Sequence, residues 1–220
     1  MVLTHPFFNP TRIIEGHAFE EALFDVLQKR RWALVTSQGW IARGAVEKLI
    51  SRCGKPMSQY FNCDENPDIQ TVLDVAAALK NADVYVGLGG GSVIDALKGA
   101  AVLCALGNNI ETFLSHLREE TSLPNDLPTL PIIAIPTTSG TGSEVTPWAT
   151  IWGERGIKHS VNNISIYPSH TILDPVLTTT MPSELTIATG LDALSHAMEA
   201  VWNRRHTALS DAMASQAITM

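Results

Sequence analysis

Three groups of residues in this 220-residue chain have the types and spacing to do chemistry. Gly89-Gly90-Gly91-Ser92 follows the apolar run Val84-Tyr85-Val86-Gly87-Leu88 and opens a helical pattern over 92–106. Consecutive glycines after a strand let the backbone approach a bulky anion and permit φ > 0 where a side chain would clash. The helix start adds unsatisfied N–H groups and a positive dipole end suited to a pyrophosphate. Ser92 contributes a hydroxyl donor. Asp95, one turn on, would repel a phosphate, so a ribose or nicotinamide hydrogen bond suits it better. A tight turn with close helix–sheet packing explains an isolated triple glycine about as well. The pattern is neither GxGxxG nor GxxxxGK[ST], so it points to a phosphate and not to one cofactor.

A second loop, Pro136-Thr137-Thr138-Ser139-Gly140-Thr141-Gly142-Ser143-Glu144, follows the apolar stretch Ile132-Ile133-Ala134-Ile135. Two polar, glycine-rich loops at the C-terminal ends of strands of one sheet fit the crevice in which α/β sheets bind ligands. The hydroxyls of Thr137, Thr138 and Thr141 suit sugar and amide groups; a solvated linker rich in turn formers is the blander reading. The third group is Asp192 and His196, four residues apart and so on one face of a helix. A carboxylate and an imidazole at that spacing can share a divalent cation, and apolar neighbours such as Leu191, Leu194 and Met198 suggest that the pair is buried. Two ligands do not complete a site that needs three or four. No other histidine stands in a ligand pattern.

The elements that must position these groups alternate between helix and strand, which predicts an α/β sheet with crossover helices. Helices are expected over 20–30, 45–53, 68–81 and 92–106, with buried strands over 32–36, 84–88 and 130–135 and a surface loop over 119–127. From Pro182 a helical region runs to the chain end, with Ser183 a plausible N-cap. The domains expected are 1–181, α/β, and 182–220, helical. A chain that stops inside a helical pattern reads as a fragment.

Composition narrows the partners. A formal net charge of -7 argues against nucleic acid, and no apolar run is long enough for a bilayer span. Three cysteines without CxxC spacing suggest free thiols in a reducing compartment, the cytoplasm.

Taken together, GGGSVIDALK (89–98), PTTSGTGSEVT (136–146), Asp174-Pro175 and GLDALSHAME (190–199) resemble the iron-containing (group III) alcohol dehydrogenases, in that family's order and over nearly the whole chain. The resemblance implies a dinucleotide domain of Rossmann-like fold followed by a helical metal domain of the dehydroquinate synthase-like type. It implies iron, or zinc, held by one Asp and three His, with Asp192 and His196 as the first two ligands and the others beyond Met220. By the same resemblance Gly90, Gly91 and Ser92, which with Gly89 form the cofactor-binding cradle, meet the pyrophosphate, and Thr137, Thr138 and Thr141 surround the nicotinamide ribose. Asn66 lies near the cofactor, Lys158 reaches ribose and phosphate from across the cleft, and Trp148 lies near the nicotinamide.

One position departs from the pattern. NAD-preferring members often carry Asp after the Val-Thr that ends the second strand, and here Val35-Thr36 is followed by Ser37. A carboxylate there repels a 2′-phosphate; serine does not, so NAD(P) is the expected cofactor with NADP(H) slightly favoured. The implied activity is hydride transfer between nicotinamide and a small aldehyde or primary alcohol by a homodimer or higher homo-oligomer. Similarity to the phosphonoacetaldehyde reductase branch suggests an anionic aldehyde, anchored by Lys158 and His159. The proton donor is expected beyond Met220. Two alternatives stand: a catalytically incomplete nucleotide-binding fragment, and a metal-dependent lyase or cyclase of the dehydroquinate synthase type.

Overall fold

The computed structural model describes residues 7–119 and 121–220. The first half of the chain folds as β1 (Arg12–Glu15), α1 (Phe19–Leu27), β2 (Trp32–Thr36), α2 (Gln38–Ala42), α3 (Ala45–Cys53), β3 (Ser58–Tyr60), α4 (Ile69–Ala78), β4 (Val84–Gly89) and α5 (Gly91–Ala105). It continues through α6 (Ile110–Glu119), β5 (Ile132–Pro136), β6 (Trp148–Trp152), β7 (Lys158–Asn162) and β8 (His170–Leu173) to α7 (Ser183–Trp202) and α8 (Ala208–Thr219). Six strands form one parallel sheet in the order β1-β8-β5-β4-β2-β3, and β6 and β7 form a separate antiparallel hairpin.

Both faces of this sheet are covered, which is why its central strands read as continuous apolar runs. Alternate residues separate the two cores. Trp32, Leu34, Val84, Val86, Leu88, Ile133 and Ile135 pack with α1 and α3. Ala33, Val35, Tyr85 and Ile132 face α4, α5 and the hairpin residues Ala149 and Ile151. On that second face α5 lies close to the sheet, because a Cβ on Gly87 would stand 3.0 Å from Leu97.

The expected helices and buried strands form, with shifted ends. The helix begun by Asp68, whose carboxylate accepts from Thr71 N–H at 2.7 Å, stops at Ala78, before the left-handed turn at Asn81 (φ 57°). The expected 130–135 strand begins after Pro131, which has no N–H for the ladder. In the expected loop over 119–127, Glu119 closes α6, residues 121–127 are irregular, and Glu120 lies outside the described residues. Ser183 is not the N-cap: Pro182 holds that position and no side chain caps the helix. The final helical region is broken after Trp202 and restarted by a capping box between Thr207 and Ser210.

Candidate functional site

The chain leaves β2 for the edge strand β3, then returns to place β4 on the other side of β2. The two connections diverge at the C-terminal ends of β2 and β4, the switch point at which open α/β sheets bind ligands. Two cavities open there, of about 500 and 770 Å³, and they share Asn66, Gly91, Ser92 and Thr141.

The glycine cradle forms the floor. Its glycines do not adopt positive φ, contrary to the expectation from sequence; space is what they supply. A Cβ on Gly89 would fall 2.4 Å from Val93, one on Gly90 2.9 Å from Thr138 Oγ1, and one on Gly91 2.8 Å from Thr141. Real Cβ atoms do not approach so closely, so Gly89 lets α5 turn back on the strand, and Gly90 and Gly91 let the Thr137–Thr141 loop meet the cradle. The loop is fastened to the cradle by Thr137 N–H, which donates to the Gly89 carbonyl at 3.1 Å. In that loop the left-handed backbone belongs to Gly140 (φ 110°) and Gly142 (φ 63°). Gly90, extended, precedes the 15-residue α5, whose first turn presents free N–H groups to the crevice.

The predicted cofactor residues divide between the cavities. Ser37, Gly90, Thr137 and Thr138 line the smaller one, Asp95, Trp148 and Lys158 the larger, and Asn66, Gly91, Ser92 and Thr141 both. Gly89 lines neither and lies behind, against Val93. Asn66 is left-handed (φ 55°), and its N–H donates to Ser92 Oγ at 3.2 Å, which holds the segment after β3 against the cradle. Lys158 stands with its ammonium 4.9 Å from the Trp152 ring centroid, at cation–π distance. His159 turns the other way: its Nδ1 is 2.7 Å from the Leu117 carbonyl, so it does not join Lys158 as an anion anchor.

Asp95 is committed within the protein. One oxygen accepts from Ser143 Oγ at 2.5 Å and the other from Thr150 N–H at 2.9 Å, joining α5 to the second loop and to β6. Burial pushes its carboxyl up, as it does that of Glu144. Beside it Lys98 is wholly buried and donates to the carbonyls of Ser143, Thr146 (2.7 Å) and Trp148 (2.9 Å). Burial pulls its ammonium down to about 8, against the opposing pull of Asp95 and Glu144. Reasoning from sequence gave Lys98 no role. Its signal was a lysine inside the apolar run Ala96-Leu97-Lys98-Gly99-Ala100-Ala101, a position that demands acceptors.

Also unforeseen were Leu177, Met181, Leu185, Trp40 and Arg43, which line the smaller cavity with the cradle. Leu177 lies in a 3-10 turn over Pro175–Thr178, Met181 just after it and Leu185 in α7, far along the chain, and no local pattern marks them.

Asp192 and His196 project from α7 into the larger cavity with Oδ1 and Nε2 3.7 Å apart. The pair is not buried as expected: its side chains are 43% and 54% exposed, because Leu191, Leu194 and Met198 are themselves uncovered. Two donors on one tetrahedral cation at metal–ligand distances of about 2.1 Å stand roughly 3.4 Å apart, so the pair fits half of such a site. His196 Nδ1 lies 3.3 Å from the Gly140 carbonyl, a contact that leaves Nε2 for a metal when Nδ1 carries the proton. Among the described residues no group of three or more His, Cys, Asp or Glu side chains converges.

Residues 10–175 match the family model described as iron-containing alcohol dehydrogenase. The chain belongs to the iron-containing alcohol dehydrogenase family. Residues 186–220 match the C-terminal model of the same family. The 1-propanol dehydrogenase of Citrobacter freundii is 33% identical over 94% of this chain and 52% of its own length. The NAD-dependent methanol dehydrogenase of Bacillus methanolicus is 40% identical over 99% and 58%. Sulfoacetaldehyde reductase from Bifidobacterium kashiwanohense, solved with NAD+, superposes with a TM-score of 0.87 at 29% identity, covering 97% of this chain and 57% of that one. The chain thus spans about half the length of the curated family members it matches. These relatives are dehydrogenases and reductases, and the lyase or cyclase alternative finds no support among them.

Proposed function

We propose that residues 1–181 form the dinucleotide-binding domain, and 182–220 the start of the metal-binding domain, of an NAD(P)-linked, metal-dependent alcohol dehydrogenase or aldehyde reductase. The observation that carries this reading is the contact between Gly90 and Gly91 and the hydroxyls of Thr138 and Thr141, too close for any Cβ, at the sheet's switch point. Gly90, Gly91 and Ser92 would hold the pyrophosphate on backbone N–H groups and one hydroxyl. The Thr137–Thr141 loop, Asn66 and Trp148 would hold the nicotinamide ribose and ring, with Lys158 closing from across the cleft. Asp95 serves this site at one remove, holding Ser143 and the hairpin in place.

Asp192 and His196 would hold a divalent iron or zinc ion together with ligands from elsewhere. The bound metal supplies Lewis acidity at the carbonyl oxygen and the nicotinamide supplies the hydride. Lys158, cationic at the mouth of the same cavity, favours an aldehyde that bears an anion, and sulfoacetaldehyde, the substrate in the name of the structural relative, is one. Phosphonoacetaldehyde carries the same arrangement. Three free cysteines suit the reducing cytoplasm. The edge strand β1, with Ile13 51% exposed, offers a pairing surface for a homo-oligomer.

With two ligands and no converging third among the described residues, this chain by itself reads as a cofactor-binding part that does not turn over. Fluorescence titration with NADPH and NADH tests the reading, and no binding of either overturns it. Turnover of aldehyde by the 220-residue chain with bound metal would overturn the incomplete-site reading. Ser37→Asp is expected to weaken NADPH at least tenfold and to spare or improve NADH; unchanged affinities would remove Ser37 from the site.

A further inference from the structure

Beyond Ser37 the smaller cavity continues into a corner that the account above leaves without a ligand. There α2 ends at Arg43, whose side chain folds back over Gly39. A Cβ built on Gly39 would lie 2.7 Å from Arg43 Nη1 and 3.7 Å from Ser37 Oγ, so guanidinium and hydroxyl flank one spot that a larger residue would fill. The Arg43 guanidinium carbon is 5.1 Å from the Trp40 ring centroid, a contact that holds its plane. Among the described residues no carboxylate comes within ion-pair distance of Arg43. The Ser37 hydroxyl makes no capping bond to α2. Ser37, Gly39, Trp40 and Arg43 all line the cavity whose other end is the glycine cradle.

Arg43 is exposed and has no carboxylate partner, and the Ser37 hydroxyl beside it caps nothing, so both donors are open to an acceptor that enters the cavity. The cavity's own carboxylates, Asp64 and Glu65, belong to a segment tied at one end to Ser37 and Gln38 through Asn62 and at the other to Ser92 through Asn66. Neither carboxylate is paired with Arg43. Resting on the dinucleotide reading above, we propose that Arg43, held by Gly39 and Trp40 beside Ser37, grips the 2′-phosphate of NADP(H) and sets the cofactor preference of this chain. A planar guanidinium with several parallel N–H donors matches a phosphate, and a charge-assisted bond of this kind exceeds a neutral one in strength. NADH offers only a 2′-hydroxyl at that point, so Arg43 has little to add for it.

The experiment is a pair of fluorescence titrations, NADPH and NADH, on the 220-residue chain and on Arg43→Ala, Arg43→Lys and Gly39→Ala. The expected result is a 10–100-fold loss of NADPH affinity in Arg43→Ala, with NADH changed less than threefold. Arg43→Lys recovers part of the loss, and Gly39→Ala, whose methyl displaces the guanidinium, shows a smaller loss in the same direction. Free 2′,5′-ADP should compete with NADPH in the parent chain and fail to compete for Arg43→Ala. Equal losses for the two cofactors overturn the proposal, because Arg43 then serves what they share. Unchanged NADPH affinity overturns it as well and leaves the dinucleotide reading standing. Binding of neither cofactor by the parent chain fells that reading, and the proposal with it.

Discussion

The glycine cradle and α7 meet at the same crevice, but the cradle and the α7–α8 pair are built in opposite ways. Around the cradle the polar groups that matter have partners: Thr137 N–H meets the Gly89 carbonyl, Asn66 N–H meets Ser92, and Lys98 meets three carbonyls. Of the 20 residues of α7 only Ala197 is buried, and of the 12 of α8 only Ala214. Ile187, Leu191, Met198 and Trp202 stand exposed, and the Asp192–His196 pair stands exposed with them. The groups proposed to meet the cofactor lie on the sheet's loops and the hairpin, whereas Asp192 and His196 stand on a helix that the described residues leave largely uncovered. The difference teaches that the proposed cofactor and metal halves can be tested apart.

The largest effect should come from filling the cradle. Gly90→Val places branched carbons where a single Cβ already stands 2.9 Å from Thr138 Oγ1, in the space a pyrophosphate needs. Affinity for NADPH and NADH should fall at least 100-fold, about 3 kcal/mol, while far-ultraviolet circular dichroism stays that of the parent. Retained affinity would show that the cofactor does not use this floor, and the contrast between a finished and an unfinished half would collapse.

Lys98 tests how the finished half is held together. Lys98→Met leaves the carbonyls of Ser143, Thr146 and Trp148 without their donor, at a cost of about 1–3 kcal/mol for each that water does not reach. Part of that is offset by no longer burying a cation. A melting temperature lower by roughly 5–15 °C is expected by calorimetry. A drop below 2 °C would mean that the hairpin is fixed by its apolar contacts alone.

The same lysine predicts a pH dependence. The folded ammonium titrates at about 8 and the free side chain at 10.5. Between those values the unfolded chain holds more protons, so the contribution of Lys98 to stability rises with pH, by up to about 3 kcal/mol. Asp95 and Glu144, raised by burial, act in the other direction at acid pH: the stability they lend is present below the unfolded carboxyl range and is lost as pH climbs through the folded one. Urea melts of parent and Lys98→Met from pH 7.5 to 10.5 should diverge, the parent gaining. Parallel curves would contradict the buried cation.

How far all this was legible in the sequence follows the same division. β2, β4 and β5 are buried on both faces and announce themselves as apolar runs. β1, β3 and β8 are three or four residues long with polar members, and only their neighbours in the sheet make them strands. The hairpin strand Lys158–Asn162 reads as a polar turn for the same reason. At the site, the positions of Gly89, Gly90 and Gly91 were legible but their physical reason was not, since a steric need depends on Val93, Thr138 and Thr141 arriving across the fold. Burial of Asp192 and His196 was inferred from their apolar neighbours on one helix, and an apolar sequence does not say whether anything covers it. Arg43 was invisible because a lone arginine after a short helix carries no pattern until Gly39 lets it fold back.

The smallest effect should lie on the unfinished side. Asp192→Ala with His196→Ala removes two half-exposed side chains 3.7 Å apart and the contact to the Gly140 carbonyl, which is exposed enough for water to replace. Surface changes of this kind shift stability by about 0.5 kcal/mol, or roughly 2 °C here. Cofactor affinity should stay within twofold of the parent, because every contact assigned to the dinucleotide lies on the sheet side. Zn2+ binding, weak in the parent for want of further ligands, should disappear in calorimetric titration. A tenfold loss of NADPH affinity would make α7 part of the cofactor wall through more than Leu185, and the two halves would be one cooperative site rather than two separable ones. Tight Zn2+ binding in the parent would break the comparison from the other end, since it would require ligands that the described residues do not bring together.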